Sequence, residues 1–293
     1  MPSLKVIRNR IASVKNTRKI TKAMKLVAAA KLRRSQDAII AARPYSRGLA
    51  TVVSELSGGT GGEAAHELFE QRPVKRVAIV VVTSDRGLAG AFNSNVIKAV
   101  ERYAANELPA GAELSLRIIG KKANQHFARR KANIASYDLA PTSQTALATA
   151  HEAATRVIAD FKAGKVDRVM LAFNEFKNAG TQVVRMEQLL PVAPGVTAAP
   201  AATVTTAEDY LYEPSKRELL SRLVPLYVQN QIYRASLESI ASFFGAQMMA
   251  MENATKSAGE MIERYTLQYN RARQASITKE LAEIVGGAEA LKG

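Results

Sequence analysis

The chain has 293 residues, 47% of them hydrophobic, and a formal charge of +15. That apolar share suits a chain with a real core and excludes a mainly disordered one. The absence of cysteine excludes disulfides, thiolate metal sites and cysteine nucleophiles.

The charge is unevenly placed: Met1 to Gln36 carries eleven lysines and arginines and no acidic residue. Such a field calls for an acidic partner, whether nucleic acid, anionic lipid or acidic protein. The longest aliphatic run, Val77 to Val82, is too short to span a bilayer, and the first residues do not resemble a secretory signal. A soluble chain that reaches a membrane only by peripheral docking is expected.

Ser3 to about Ser54 predicts one long helix, with Ser3 as N-cap and Leu4, Ile7, Ile11 and Val14 at a and d spacing. A polar break over Lys15 to Lys19 precedes Ile20, Met24 and Val27, which resume the apolar series; Pro44 predicts a kink or turn, and Gly58 to Gly62 a flexible loop. From Val74 the pattern changes. Val77 to Val82 predicts a buried parallel strand, followed by the glycine-bearing turn Thr83 to Asn93 and a helix to about Tyr103, the opening of a βαβ unit. Strands over Leu114 to Ile119, Asp167 to Phe173 and Thr181 to Leu190 are expected, with helices ending near Arg130 and spanning about Ser143 to Phe161.

Ala193 to Ala207 reads as a loop and Tyr210 to Glu213 as a short extended piece. Pro214-Ser215 opens a final helix, which Pro225 should bend near its start. From Leu237 that helix places Ala241, Phe244, Met248, Met251, Thr255, Ala258, Ile262 and Tyr265 at alternating spacings of four and three. This is a coiled-coil seam, and the first helix is its candidate partner. Two such helices, at 1.5 Å per residue, would be on the order of 75 to 120 Å long, the dimensions of a rod.

Candidate chemistry is sparse. The turn Asp85 to Gly90 follows a strand and precedes a helix, as a phosphate site would, but it lacks both the three-glycine dinucleotide fingerprint and the Gly-Lys-Ser/Thr of a P-loop. His66, His126 and His151 have no ligand spacing, and Asp167, Glu175, Glu187 and Asp209 form no defensible acid-base pair. The basic first helix is open to three readings: a solvated face, a nucleic-acid binder without aromatic interleaving, or a rod inside an acidic protein collar.

Three segments resemble the gamma-subunit family of F-type ATP synthases: Ile7 to Met24 (IRNRIASVKNTRKITKAM), Thr83 to Asn93 (TSDRGLAGAFN) and Tyr269 to Ala288 (YNRARQASITKELAEIVGGA). The resemblance implies a noncatalytic rotary shaft that couples ion flow through the membrane ring to ATP synthesis or hydrolysis on the beta subunits. Its implied partners are the alpha and beta subunits of the catalytic head, epsilon and the ring of c subunits, with no cofactor and no metal. It places Met24 by the lower rim of the head, Arg273, Gln274, Thr278 and Glu280 at an upper contact with beta, and Tyr212 and Glu213 at the ring. Gln247 departs from relatives with an arginine there, which removes an ionic latch; the missing cysteine-bearing insertion and the Met1-Pro2-Ser3 start fit a bacterial type, peripheral on the cytoplasmic face of the plasma membrane.

The expected fold class is α/β: a long antiparallel coiled coil of the N- and C-terminal helices with an inserted Rossmann-like α/β domain. The expected division is 1–56, first coil helix; 74–192, α/β domain; and 210–293, second coil helix. The alternative is a basic coiled-coil nucleic-acid-binding protein.

Overall fold

The structure, a computed structural model, describes residues 3–58, 66–193, 213 and 215–290. The chain divides into two compact units, one of residues 1–28 with 248–293 and one of residues 29–247. Helix α1 (Leu4–Gly58) and helix α5 (Lys216–Ala290) each contribute to both.

The larger unit is built on a five-stranded sheet: β1 (Arg76–Val82), β2 (Glu113–Ile119), β3 (Ile134–Asp138), β4 (Arg168–Asn178) and β5 (Thr181–Leu190), in the order β3-β2-β1-β4-β5. The first four strands run parallel and β5 pairs antiparallel with β4. The β-branched run of β1 explains its central place, because a strand buried on both faces needs apolar residues at every position. Val77, Ile79 and Val81 pack with α2 (Phe92–Asn106) and α3 (Lys121–Arg129). Ala78, Val80 and Val82 pack with α4 (Ala146–Lys162), the end of α1 and the start of α5.

Strand β3 was not expected. Its burial alternates between half-buried and exposed, so an edge strand of five residues has no continuous apolar run to announce it. No turn occurs at Pro44, which lies inside α1, and Pro225 likewise lies inside α5. A proline removes one helix hydrogen bond, a loss that the packing of Leu49, Val53 and Leu56 into the core offsets. The pieces expected over 59–62 and 194–212 lie outside the described residues.

In the smaller unit α1 and α5 pair along a seam. Lys25 Nζ lies 2.7 Å from Glu252 Oε1, Thr255 Oγ1 donates to Thr21 Oγ1 at 2.7 Å, and Arg18 lies against Gly259. As the α1 number falls the α5 number rises, so the pairing is antiparallel. On α5 the expected seam positions are all buried or half-buried. On α1 the expectation needs correcting: Ile20 and Val27 are 59% and 56% exposed, while Thr21 and Ala28 are buried. The heptad runs on without a break through Ile7, Ile11, Val14, Arg18, Thr21, Lys25 and Ala28, and the apolar Ile20 and Val27 fall outside it.

Candidate functional site

Two regions invite function: the turn after β1 and the far end of α5. The turn sits where an open parallel sheet offers a crevice, at the carboxyl ends of the strands that flank the reversal of strand order, here β1 and β4. A phosphate there would be held by free amides at a helix N-terminus. The amides at the start of the neighbouring helix α3, which faces the turn, are already used. Asp85 Oδ1 accepts from Lys121 N at 2.7 Å and from Ala140 N at 3.1 Å, the Ser84 carbonyl accepts from Lys122 N, and Thr83 Oγ1 accepts from Ala123 N. The chain's own carboxylate thus takes the anion position at the start of α3, where the helix dipole favours negative charge.

Within the turn itself, side chains close on the backbone. Ser84 Oγ donates to the Arg86 carbonyl at 2.7 Å, and Asn93 Oδ1 accepts from Ser84 N at 3.0 Å. Gly120 has φ of +110°, and a Cβ there would stand 2.3 Å from the Thr83 carbonyl oxygen, so only glycine allows β1 and α3 to meet. Over the end of β4, Asn174 Nδ2 donates to the Phe92 carbonyl, Ser242 Oγ donates to the Asn174 carbonyl, and Phe92 meets Phe243 edge to face at 5.6 Å. Side chains of α5 therefore fill the crevice in which a nucleotide would lie. Among the described residues no group of histidine and carboxylate side chains could hold a metal.

The second region is the end of α5. Extrapolating the seam at equal rise brings Leu4 level with about residue 273, and every residue from 277 to 287 is exposed. Arg273, Gln274, Thr278 and Glu280 are all exposed; Thr278 Oγ1 donates to the Gln274 carbonyl, and Glu280 accepts from Ser276 Oγ at 3.1 Å. At 3.6 residues per turn these four fall within roughly 160° of the helix circumference. The same arc holds Ile277, Leu281, Ile284 and Val285, exposed apolar side chains that the sequence reading did not single out. Their i, i+4, i+7, i+8 spacing was the available signal. Met24 is half-buried, Glu213 is exposed in a bend before α5, and Tyr212 lies outside the described residues.

The family model described as ATP synthase matches residues 3–291. The chain is 48% identical over 294 residues to the ATP synthase gamma chain of Anaeromyxobacter dehalogenans (strain 2CP-1), covering all of both chains. It is 45% identical over 293 residues to that of Geobacter metallireducens, again at full coverage of both. Among solved structures, a chain of the Tetrahymena thermophila mitochondrial ATP synthase central stalk and c-ring is 29% identical, with a TM-score of 0.59 over 80% of this chain and 99% of that one. A chain of the Euglena gracilis mitochondrial ATP synthase shares the fold, with a TM-score of 0.66 at 19% identity over 98% of this chain and 94% of that one.

Proposed function

The chain belongs to the ATP synthase gamma-chain family, and from that premise we propose that it is the central shaft of the complex, coupling ion flow through the membrane ring to ATP synthesis or hydrolysis on the beta subunits. The observation that carries this is the end of α5, where a helix that has left its partner behind presents a mixed apolar and polar face over residues 273–285. An apolar stripe on a helix needs a cover. A sleeve made by the alpha and beta subunits supplies it, with Arg273, Gln274, Thr278 and Glu280 as the polar contacts.

The remaining assignments follow the same reading. The segment 1–56 with its thirteen cations and the segment 210–293 form the shaft; Met24 faces the lower rim of the head, and 74–192 with Tyr212 and Glu213 engages epsilon and the c ring. No helix among the described residues is long and apolar enough to cross a membrane, so membrane contact is made through the complex, at the cytoplasmic face. The subunit is noncatalytic. The amides at the start of α3 beside its Asp85 to Gly90 turn are bonded to Asp85 and Thr83, Ser242 and Phe243 of α5 cover the end of β4, and the chemistry belongs to the beta subunits.

Seam packing suits the task, because two helices locked by interdigitated side chains resist twisting better than one. The basic surface of α1 suits it as well. Attraction between that surface and acidic groups of a sleeve varies gradually with angle, so it centres a turning shaft without fixing it at one position. The test is reconstitution with and without the chain. Proton-driven ATP synthesis is expected to need it, and the isolated chain to hydrolyse no nucleotide. Synthesis in its absence, or nucleotide hydrolysis by the chain alone, would overturn the reading.

A further inference from the structure

A cavity of about 330 Å³ opens in the larger unit, between the part of α1 around Arg43 and the part of α5 around Glu238. Its walls are apolar where Ile39 and Ala42 meet Leu237, and its polar groups are unequally matched. Arg234 is committed: it pairs with Glu187, donates to Gln231 Oε1 at 3.1 Å and lies over the Phe173 ring. Glu175 is committed too, accepting from Lys177 and Arg185 at 2.7 Å each. Arg43 and Arg47 are not. They line the cavity one turn apart on α1, and among the described residues neither has a carboxylate within ion-pair distance.

We propose that this cavity is a binding site for a phosphate group, held by the paired guanidinium groups of Arg43 and Arg47. Two cations four residues apart on a helix repel each other, and an oxyanion between them removes that repulsion while accepting from both planar forks. Both arginines are exposed, so a phosphate reaches them directly from solvent and salt screens the attraction.

Glu238 sets the selectivity of the site. The residue is only 8% exposed, and its Oε2 accepts from Phe176 N at 2.9 Å. Among the described residues its Oε1 has no partner. Burial raises its pKa above the ordinary carboxylate value, against the opposing pull of the Phe176 amide, Arg234 and Arg43. When charged, Glu238 repels an incoming anion; when protonated, it offers a hydrogen bond to one. Nothing in the shaft function requires this arrangement, so the proposal stands apart from it.

The test is calorimetric titration of inorganic pyrophosphate into the full chain at low salt. The Arg43→Ala/Arg47→Ala variant should bind at least about tenfold more weakly. Lys98→Ala/Arg102→Ala removes an equally spaced exposed cation pair on α2 and should leave binding unchanged, which separates the site from general attraction to a chain of charge +15. Glu238→Gln keeps the side-chain shape, removes the negative charge and should bind several-fold more tightly.

Phosphatidylglycerol vesicles identify the source of the phosphate. Displacement of pyrophosphate by vesicles supports the site with a lipid headgroup as its ligand, and persistence of pyrophosphate binding supports it with a soluble phosphate compound. The proposal is overturned if wild type does not bind pyrophosphate, if the two double variants weaken binding equally, or if Glu238→Gln does not tighten it.

Discussion

At the scale of single residues, the carboxylates of the larger unit act as internal ligands. Asp85 caps α3, and Asp167 fastens the start of β1: its Oδ2 accepts from the amides of Lys75 and Arg76 at 3.1 and 2.9 Å, and its Oδ1 from Arg76 Nη2 at 3.1 Å. Burial alone would raise the Asp167 pKa, but the hydrogen bonds from Arg76 and the two amides more than offset it and leave the pKa lowered. A folded pKa below the unfolded one means that the stabilisation is present above the unfolded value and is lost as pH falls through the folded value. Asp167→Asn is therefore expected to cost about 2 kcal/mol at neutral pH. The difference from wild type should shrink in acid, as read by urea unfolding at neutral pH and at about pH 3.

At the scale of elements, the two long helices, β1, β2, β4 and β5 are legible in the sequence, because each carries a periodic or continuous apolar pattern. Two things are not. Strand β3 is short and half exposed, and it is held by pairing with β2 more than by any apolar run of its own. The middle of the α1 seam is also hidden, because Arg18, Thr21 and Lys25 occupy positions at which apolar residues are expected. The buried Thr21 side chain is satisfied there by Thr255 and by the Arg18 carbonyl. Replacing Thr255 with valine is expected to cost about 1 kcal/mol, since it breaks the shared hydrogen bond, and Thr21→Val less, since the Thr255 hydroxyl also reaches the Met251 carbonyl at 2.7 Å. Replacing both together should cost no more than Thr255→Val alone, because no partner is then left behind. Full addition of the two losses in denaturant unfolding would contradict a shared bond.

At the scale of the whole molecule, the charge and the exposed end of α5 make separate forecasts. A net charge of +15 will draw the chain to DNA at low salt, but without base or stacking contacts that binding should fall steeply and vanish near physiological salt. Binding that persists there would revive the nucleic-acid reading. Ile284 is 67% exposed, so Ile284→Asp should leave the melting temperature of the isolated chain unchanged while weakening assembly with the alpha and beta subunits about tenfold. Of the candidate contact residues, the polar ones were found through resemblance. The apolar ones on the same arc were passed over, because their sequence signature is that of a core helix and only the geometry reveals that no core meets them.

The antiparallel seam also has a mechanical consequence. Two bonded helices whose axes lie about 8–10 Å apart resist bending as a beam of two flanges does, whereas one helix bends about its own thin section. Residues 277–287, beyond the start of α1, are then the compliant portion of the smaller unit. A sideways load at that end deflects the single helix before it strains the pair, so small misalignments of a surrounding bearing are absorbed there, as in a flexible coupling.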